Sequence, residues 1–217
     1  MKKILVPINE ARFLIQEADV LLFRGDGYIS RLVQRAGEGA YSHVALASWY
    51  NGKRDASLLE VCEFREGKGG RTVNLTNAYS SQLEKGLIDV YRIGKPLYKT
   101  FYNEVTKKVE KNAIDFNAKG VTRYMRNLSG LPYGWAKIWW IMTHKLAFSR
   151  LFYNPSNYDD DSSVVDIQKI YPVCSTAVAA CFSKYGYDLV PNRADEWVEP
   201  SDLSRSAILN YLFTLTT

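Results

Sequence analysis

The sequence predicts an α+β fold, with an antiparallel sheet from the first half of the chain packed against a helix that begins at Cys174. Three observations predict it. Short apolar runs bounded by turn residues recur up to Ile93. From Tyr98 the apolar spacing changes to a helical period. A small-residue run, Ala177-Val178-Ala179-Ala180, follows Cys174 and is stopped at Gly186. Runs of the first kind mark strands, and the change of period marks helices.

The elements follow in chain order. Met1 to Glu10 begins like a secretory signal, but its apolar stretch is short and Pro7 and Glu10 interrupt it, so it reads as part of the mature protein. Asp19 to Phe23 is a strand that enters the turn Arg24-Gly25-Asp26-Gly27. Tyr28 to Gln34 forms a short helix broken by Gly37 and Gly39. Ser42 to Tyr50 is a strand, and Asn51-Gly52 after it is a strong hairpin signal, because both residues accept positive φ. The return strand covers about Leu58 to Phe64, and a further strand covers Leu87 to Ile93.

Phe101, Val105, Val109 and Phe116 lie close to one helical stripe, which predicts a helix over about 97–117. Gly130 to Trp135 makes a turn, and an aromatic helix runs from Trp135 to about Phe152. Residues 97–128 and 135–153 thus form a helical, aromatic-rich insert. The Cys174 helix reaches about Tyr185, and Pro191 and Pro200 punctuate an irregular segment before a final short helix. No repeat or linker divides residues 1–217, so they form one domain.

Composition limits the function classes. Of 217 residues, 47% are apolar and 24% charged, which supports a packed core. Three cysteines without a CxxC spacing, and only two histidines, His43 and His144, argue against structural zinc. No metal or organic cofactor is expected. The odd cysteine count fits a reducing compartment. With no apolar stretch long enough to cross a bilayer, the chain is expected to be cytoplasmic as synthesised. The net charge is +5, and residues 95–126 hold eight Lys/Arg against three Asp/Glu, an excess equal to it. Such a patch favours an anionic partner, a membrane surface or cell-wall polymer ahead of nucleic acid; the competing reading is a solvated helix face.

The chemistry centres on three positions. A two-residue Asn51-Gly52 loop pairs Tyr50 with Lys53 and places His43 opposite Glu60, on one face of the sheet, with Cβ atoms about 4.5–5.5 Å apart. A loop three residues longer would place Glu63 there instead. A carboxylate beside an imidazole fixes its tautomer and stabilises its cation. Cys174 sits where a helix begins, and helix-end amides favour a thiolate and can donate to an oxyanion. Cys174, His43 and Glu60 are the residue types of a thiol acyl-transfer site. Cys62, inside an apolar strand, and Cys181, in mid-helix, read as core filling.

Three ordered patches resemble the circularly permuted NlpC-like papain-fold peptidases and amidases, a branch that includes relatives of lecithin:retinol acyltransferase. They are Asp19 to His43, running into Ser42-His43-Val44-Ala45-Leu46, then Leu58-Leu59-Glu60-Val61, then Val173 to Ala179 with Gly186-Tyr187-Asp188-Leu189-Val190-Pro191. The order His43, Glu60, Cys174 is the permuted order. Gly130-Leu131-Pro132-Tyr133-Gly134 also resembles a family motif. The resemblance implies a papain-like sheet against the nucleophile helix, with Cys174 as nucleophile, His43 as base, Glu60 as its orienting residue and Tyr133 at the oxyanion. It implies a cysteine peptidase or amidase acting on a peptide, with peptidoglycan peptides leading. Lipid-directed acyl transfer or thioester hydrolysis by the same residues, and a non-catalytic binding protein on this fold, are the alternatives.

Overall fold

The structure, a computed structural model, describes residues 3–25, 27–50, 58–94, 97–135, 172–191 and 193–217. Its main sheet has seven strands. They are β1 (Leu5–Pro7), β2 (Val20–Phe23), β3 (His43–Trp49), β4 (Leu59–Arg65), β5 (Gly69–Asn74), β6 (Ile88–Ile93) and, numbered after a separate hairpin, β9 (Leu209–Thr216). Their spatial order is β1-β9-β6-β2-β3-β4-β5. Every pairing is antiparallel except β1 on β9, which is parallel.

The helices are α1 (Ile8–Ala11), α2 (Tyr28–Ala36), α3 (Leu75–Ala78), α4 (Ser80–Glu84), α5 (Ala118–Asn127), α6 (Cys174–Ser183) and α7 (Pro200–Ser204). The helix that the sequence places at 28–34 is α2, and it gives way to Gly37.

Successive strand residues point to opposite faces, and both faces here are covered. Val20, Leu22, Val44, Leu46, Cys62 and Phe64 pack with α5 and α6. Leu21, Phe23, Ala45, Ala47, Leu59 and Val61 pack on the other side with Ile15, Leu75, Tyr79 and Leu83. Double coverage explains why the central strands read as unbroken apolar runs. α6 carries Ala177, Ala179 and Ala180, all buried, so its backbone lies close to the sheet. Gly186, at φ 82°, takes the left-handed conformation that turns the chain away after it.

Three sequence expectations are corrected. First, residues 97–117 are not helical. β7 (Leu97–Asn103) and β8 (Lys108–Ile114) form a separate two-stranded hairpin. The aromatic and Thr-containing run 98–102 favours a strand, and Asn103 starts the turn, its Oδ1 accepting from the amides of Val105 and Thr106. The supposed helical stripe is not a buried face, since Val105 and Val109 are exposed. Among the described residues, the basic residues of 97–126 therefore lie on a hairpin and on α5, not along one helix. Only α5 remains of the helical 97–128 segment, and the rest of the insert, 136–153, falls outside the described residues.

Second, the β3–β4 register is not that of a two-residue turn. Trp49 stands opposite Leu59, five positions beyond the Arg54 that such a turn would give. An odd shift turns every side chain of a strand to the other face. Glu60 is therefore opposite Ser48, on the α5 side, and not opposite His43. Third, the chain does not end on a short helix. α7 is followed by β9, which pairs with both β6 and β1.

Candidate active site

Cys174 is the first residue of α6, and His43 is the first residue of β3. The start of α6 is held by two side chains. Thr176 Oγ1 accepts from the Val173 amide at 3.0 Å, and Ser175 Oγ donates to the Val198 carbonyl at 2.6 Å. Cys174 belongs to the core on the α6 side, while Phe23 and Tyr79, which flank His43 and Glu63, belong to the core on the opposite side. At the end of a strand, side chains from both faces can meet, and the imidazole and the thiol do so here. His43 and Cys174 are within hydrogen-bonding reach, and they are 4% and 5% exposed.

The other side of the imidazole is taken by Glu63. His43 Nε2 lies 2.5 Å from Glu63 Oε2, which leaves Nδ1 for the thiol. Glu63 stands opposite Ala45 and reaches His43 diagonally, within the range of a long side chain on an antiparallel pair. The Phe23 ring packs beside the imidazole, 5.1 Å between centroids and tilted by 54°.

Glu63 is itself tightly held. Tyr79 donates its hydroxyl to Oε2, and Arg71, from the facing position on β5, donates to Oε1 from Nε at 2.8 Å and Nη2 at 2.7 Å. Burial would raise the carboxyl pKa, but the His43 hydrogen bond and charge, joined by Tyr79 and Arg71, hold it at about 2. Burial would likewise favour neutral His43, but hydrogen bonds to Cys174 and Glu63 and the negative charge of both raise its pKa to about 9. Below that pH the imidazole is cationic and Glu63 is its counter-ion.

Glu60, the carboxylate that the local turn signal places on His43, does other work. It forms an ion pair with Arg126 of α5, and Arg126 also donates to Ser48 Oγ at 2.8 Å. Ser48 and Thr122 in turn donate to Glu17, so this group of side chains ties α5 to the sheet. Cys62 and Cys181 are fully buried free thiols; burial raises Cys62 to about 11 and Cys181 well above its ordinary value.

Tyr133 is brought to the thiol, with its hydroxyl in hydrogen-bonding reach of Cys174; burial first, and then the charge of Cys174, push its pKa up. Its loop is docked by backbone bonds. The Gly70 amide donates to the Leu131 carbonyl at 2.8 Å, and the Gly130 amide donates to the Gly70 carbonyl at 2.8 Å. The Gly134 amide donates to the Pro172 carbonyl at 3.1 Å, two residues before the start of α6. This approach needs bare backbone on β5. A Cβ at Gly70 would stand 2.3 Å from the Leu128 carbonyl oxygen, and one at Gly69 would stand 2.2 Å from that of Leu131.

The structure thus brings together Cys174, His43 and Tyr133 and replaces Glu60 with Glu63. Tyr79 and Arg71 carry no sequence signal, because β5 has no periodic apolar pattern to announce it. Among the described residues no group of three or more His, Cys, Asp or Glu is placed to hold a metal ion. No helix among them is long and apolar enough to cross a membrane.

No protein-family model matches the chain, and no curated protein matches its sequence. Among solved structures it is similar to metalloprotein yiiX from Escherichia coli O157:H7, described as DUF1105. The identity is 16%, over 93% of this chain and 98% of that one, with a TM-score of 0.49.

Proposed function

We propose that the protein is a thiol-dependent hydrolase or acyl transferase acting at an amide or ester carbonyl, on a permuted papain-like arrangement of sheet and nucleophile helix. The observation that carries this reading is His43 held between Glu63 and Cys174. An imidazolium so placed stabilises a thiolate and is positioned to protonate a leaving group.

The steps follow from that geometry. The Cys174 thiolate forms a bond to the carbonyl carbon, and the carbonyl π electrons move onto oxygen. The Cys174 backbone amide and the Tyr133 hydroxyl stabilise that oxyanion. As the oxyanion collapses, the bond to the leaving amine or alkoxide breaks, and the leaving group takes the His43 proton. Water, or an acceptor nucleophile, then gives its proton to neutral His43 and attacks the thioester, which frees Cys174. Glu63 remains a carboxylate throughout and holds the ring. The family resemblance of the three sequence blocks favours a peptide amide, including cell-wall peptides, as substrate.

Alkylation with iodoacetamide near pH 6.5, followed by mass mapping, tests the reading. Rapid modification of Cys174 alone, lost in His43→Ala, is the expected result. Slow, equal modification of all three thiols would refute it and leave a binding protein on this fold. An acyl adduct trapped on Cys174 and identified by mass would then name the substrate.

A further inference from the structure

Beside the Cys174–His43–Glu63 group lies a cation that the acyl-transfer steps do not use. Arg65 is the last residue of β4, two positions beyond Glu63. Its guanidinium carbon lies 5.8 Å from the centroid of the Tyr79 ring, the same tyrosine whose hydroxyl donates to Glu63. It is also close enough to Cys174 for their charges to interact.

The two arginines at this edge are differently engaged. Arg71 is committed to Glu63 through both Nε and Nη2, at 2.8 and 2.7 Å. Arg65 has one ion pair among the described residues, with the adjacent Glu66 at 3.7 Å, and both side chains are about one-third exposed. At that separation the pair lacks the short, forked geometry of a strong arginine–carboxylate bond, and exposed pairs of this kind contribute little. Arg65 is therefore a partly exposed cation beside the nucleophile that can exchange Glu66 for another anion at little cost. Its fork suits carboxylate and phosphate oxygens.

We infer that Arg65 is a specificity-determining residue that binds an anionic group, a carboxylate or a phosphate, on the substrate close to the scissile carbonyl. The inference rests on the proposed reaction and narrows its substrates to acidic acyl compounds. Glu66 acts as the stand-in anion when the site is empty, so it competes with substrate and lowers affinity for it.

The test uses two alkylating probes of nearly equal size, neutral iodoacetamide and anionic iodoacetate, on the full chain and its variants. The ratio of their rates at Cys174 reads the local preference for an anion. His43 contributes to that ratio in every variant, so changes between variants isolate Arg65. Arg65→Gln is expected to lower the iodoacetate rate roughly three- to ten-fold, the size of a single charge acting over several ångströms at intermediate dielectric. The iodoacetamide rate should stay within about two-fold, an outcome set by the same single-charge reasoning. Arg65→Lys should retain most of the preference, Glu66→Gln should raise the iodoacetate rate, and added salt should compress all of these differences. An unchanged rate ratio in both Arg65→Gln and Glu66→Gln overturns the inference. If iodoacetamide still modifies Cys174 rapidly and in a His43-dependent way, the proposed reaction survives that result. Loss of His43 dependence in the unsubstituted protein would instead remove the reaction itself.

Discussion

Glu63 stands opposite Ala45, yet its carboxylate meets His43, two residues earlier on β3, at 2.5 Å. Three donors converge on that carboxylate, from His43, Tyr79 and Arg71. The ion pair is therefore fixed by side chains from β3, β4, β5 and the segment between α3 and α4. Its members should respond very differently to substitution from the carboxylate three residues earlier.

Glu63→Gln removes the counter-ion of His43 and leaves a buried amide facing the ring. Turnover is expected to fall by at least about ten-fold, as when the orienting carboxylate of a catalytic histidine is neutralised. Glu60→Gln should leave turnover within about two-fold and cost on the order of 0.5–1 kcal/mol of stability through its partly exposed pair with Arg126. Kinetics and urea titrations on the two variants, side by side, make the comparison. Equal loss of turnover in both would contradict the assignment of Glu63.

The pH dependence follows from two shifts in opposite directions. His43 is raised to about 9 from 6.5, so its contribution to stability is complete below 6.5 and is lost as the pH rises through 9. Glu63 is lowered to about 2 from 4.5, so its contribution is complete above 4.5 and is lost as the pH falls through 2. The two shifts share the His43–Glu63 interaction, joined by Cys174 on one side and by Tyr79 and Arg71 on the other, and are not added; each corresponds to roughly 3 kcal/mol. The pair stabilises fully between pH 4.5 and 6.5. Urea midpoints measured across pH should show a high-pH decline near 9 that is absent in His43→Ala. Turnover should also fall near pH 9, as the general acid loses its proton, while alkylation of the thiolate should not.

Gly70→Ala places a methyl group 2.3 Å from the Leu128 carbonyl oxygen, so backbone has to move. A cost of about 1–3 kcal/mol is expected, or roughly 3–10 °C in Tm for a chain of this size. The moved loop carries Tyr133, so turnover should fall together with stability. Tyr133→Phe should lower turnover about ten-fold or more by removing an oxyanion donor, with iodoacetamide labelling of Cys174 and Tm nearly unchanged. A Tyr133→Phe protein with full turnover would remove the hydroxyl from the mechanism.

Cys62 and Cys181 are sealed in the core on the α6 side. In the native protein neither should react with a thiol reagent over the time in which Cys174 reacts completely, and both should become reactive together with Cys174 in denaturant. Mass mapping after timed quenching reads this directly.

The strands that carry the site were legible because their residues are apolar on both faces and bounded by turns; β2, β3, β4 and β6 all lie where the sequence places them. The same double burial hid the register. When both faces of a strand are apolar, hydrophobicity cannot say which face Glu60 or Glu63 takes, and only the local Asn51-Gly52 signal remained, pointing to the wrong residue. Cys174 was legible because small residues and a following glycine outline a helix that starts at it. Tyr79, Arg71 and Arg65 were not, because their meeting depends on how β5 and the 75–84 segment return to the sheet. The 97–114 hairpin was misread for a simpler reason, since four apolar residues fit a helical stripe by coincidence while aromatic content and Asn103 argued for a turn between strands.

The place of β9 bears on how the molecule is made. Translation delivers this strand after the other six of the sheet, yet it sits between β6 and β1, and β1 has no other partner strand among the described residues. Until it has been made, the nascent sheet exposes the bare margin of β6, an invitation to pair with a neighbouring polypeptide. Deletion of Leu209–Thr216 would therefore remove more than one strand: it would detach β1 as well and leave an adhesive, aggregation-prone product.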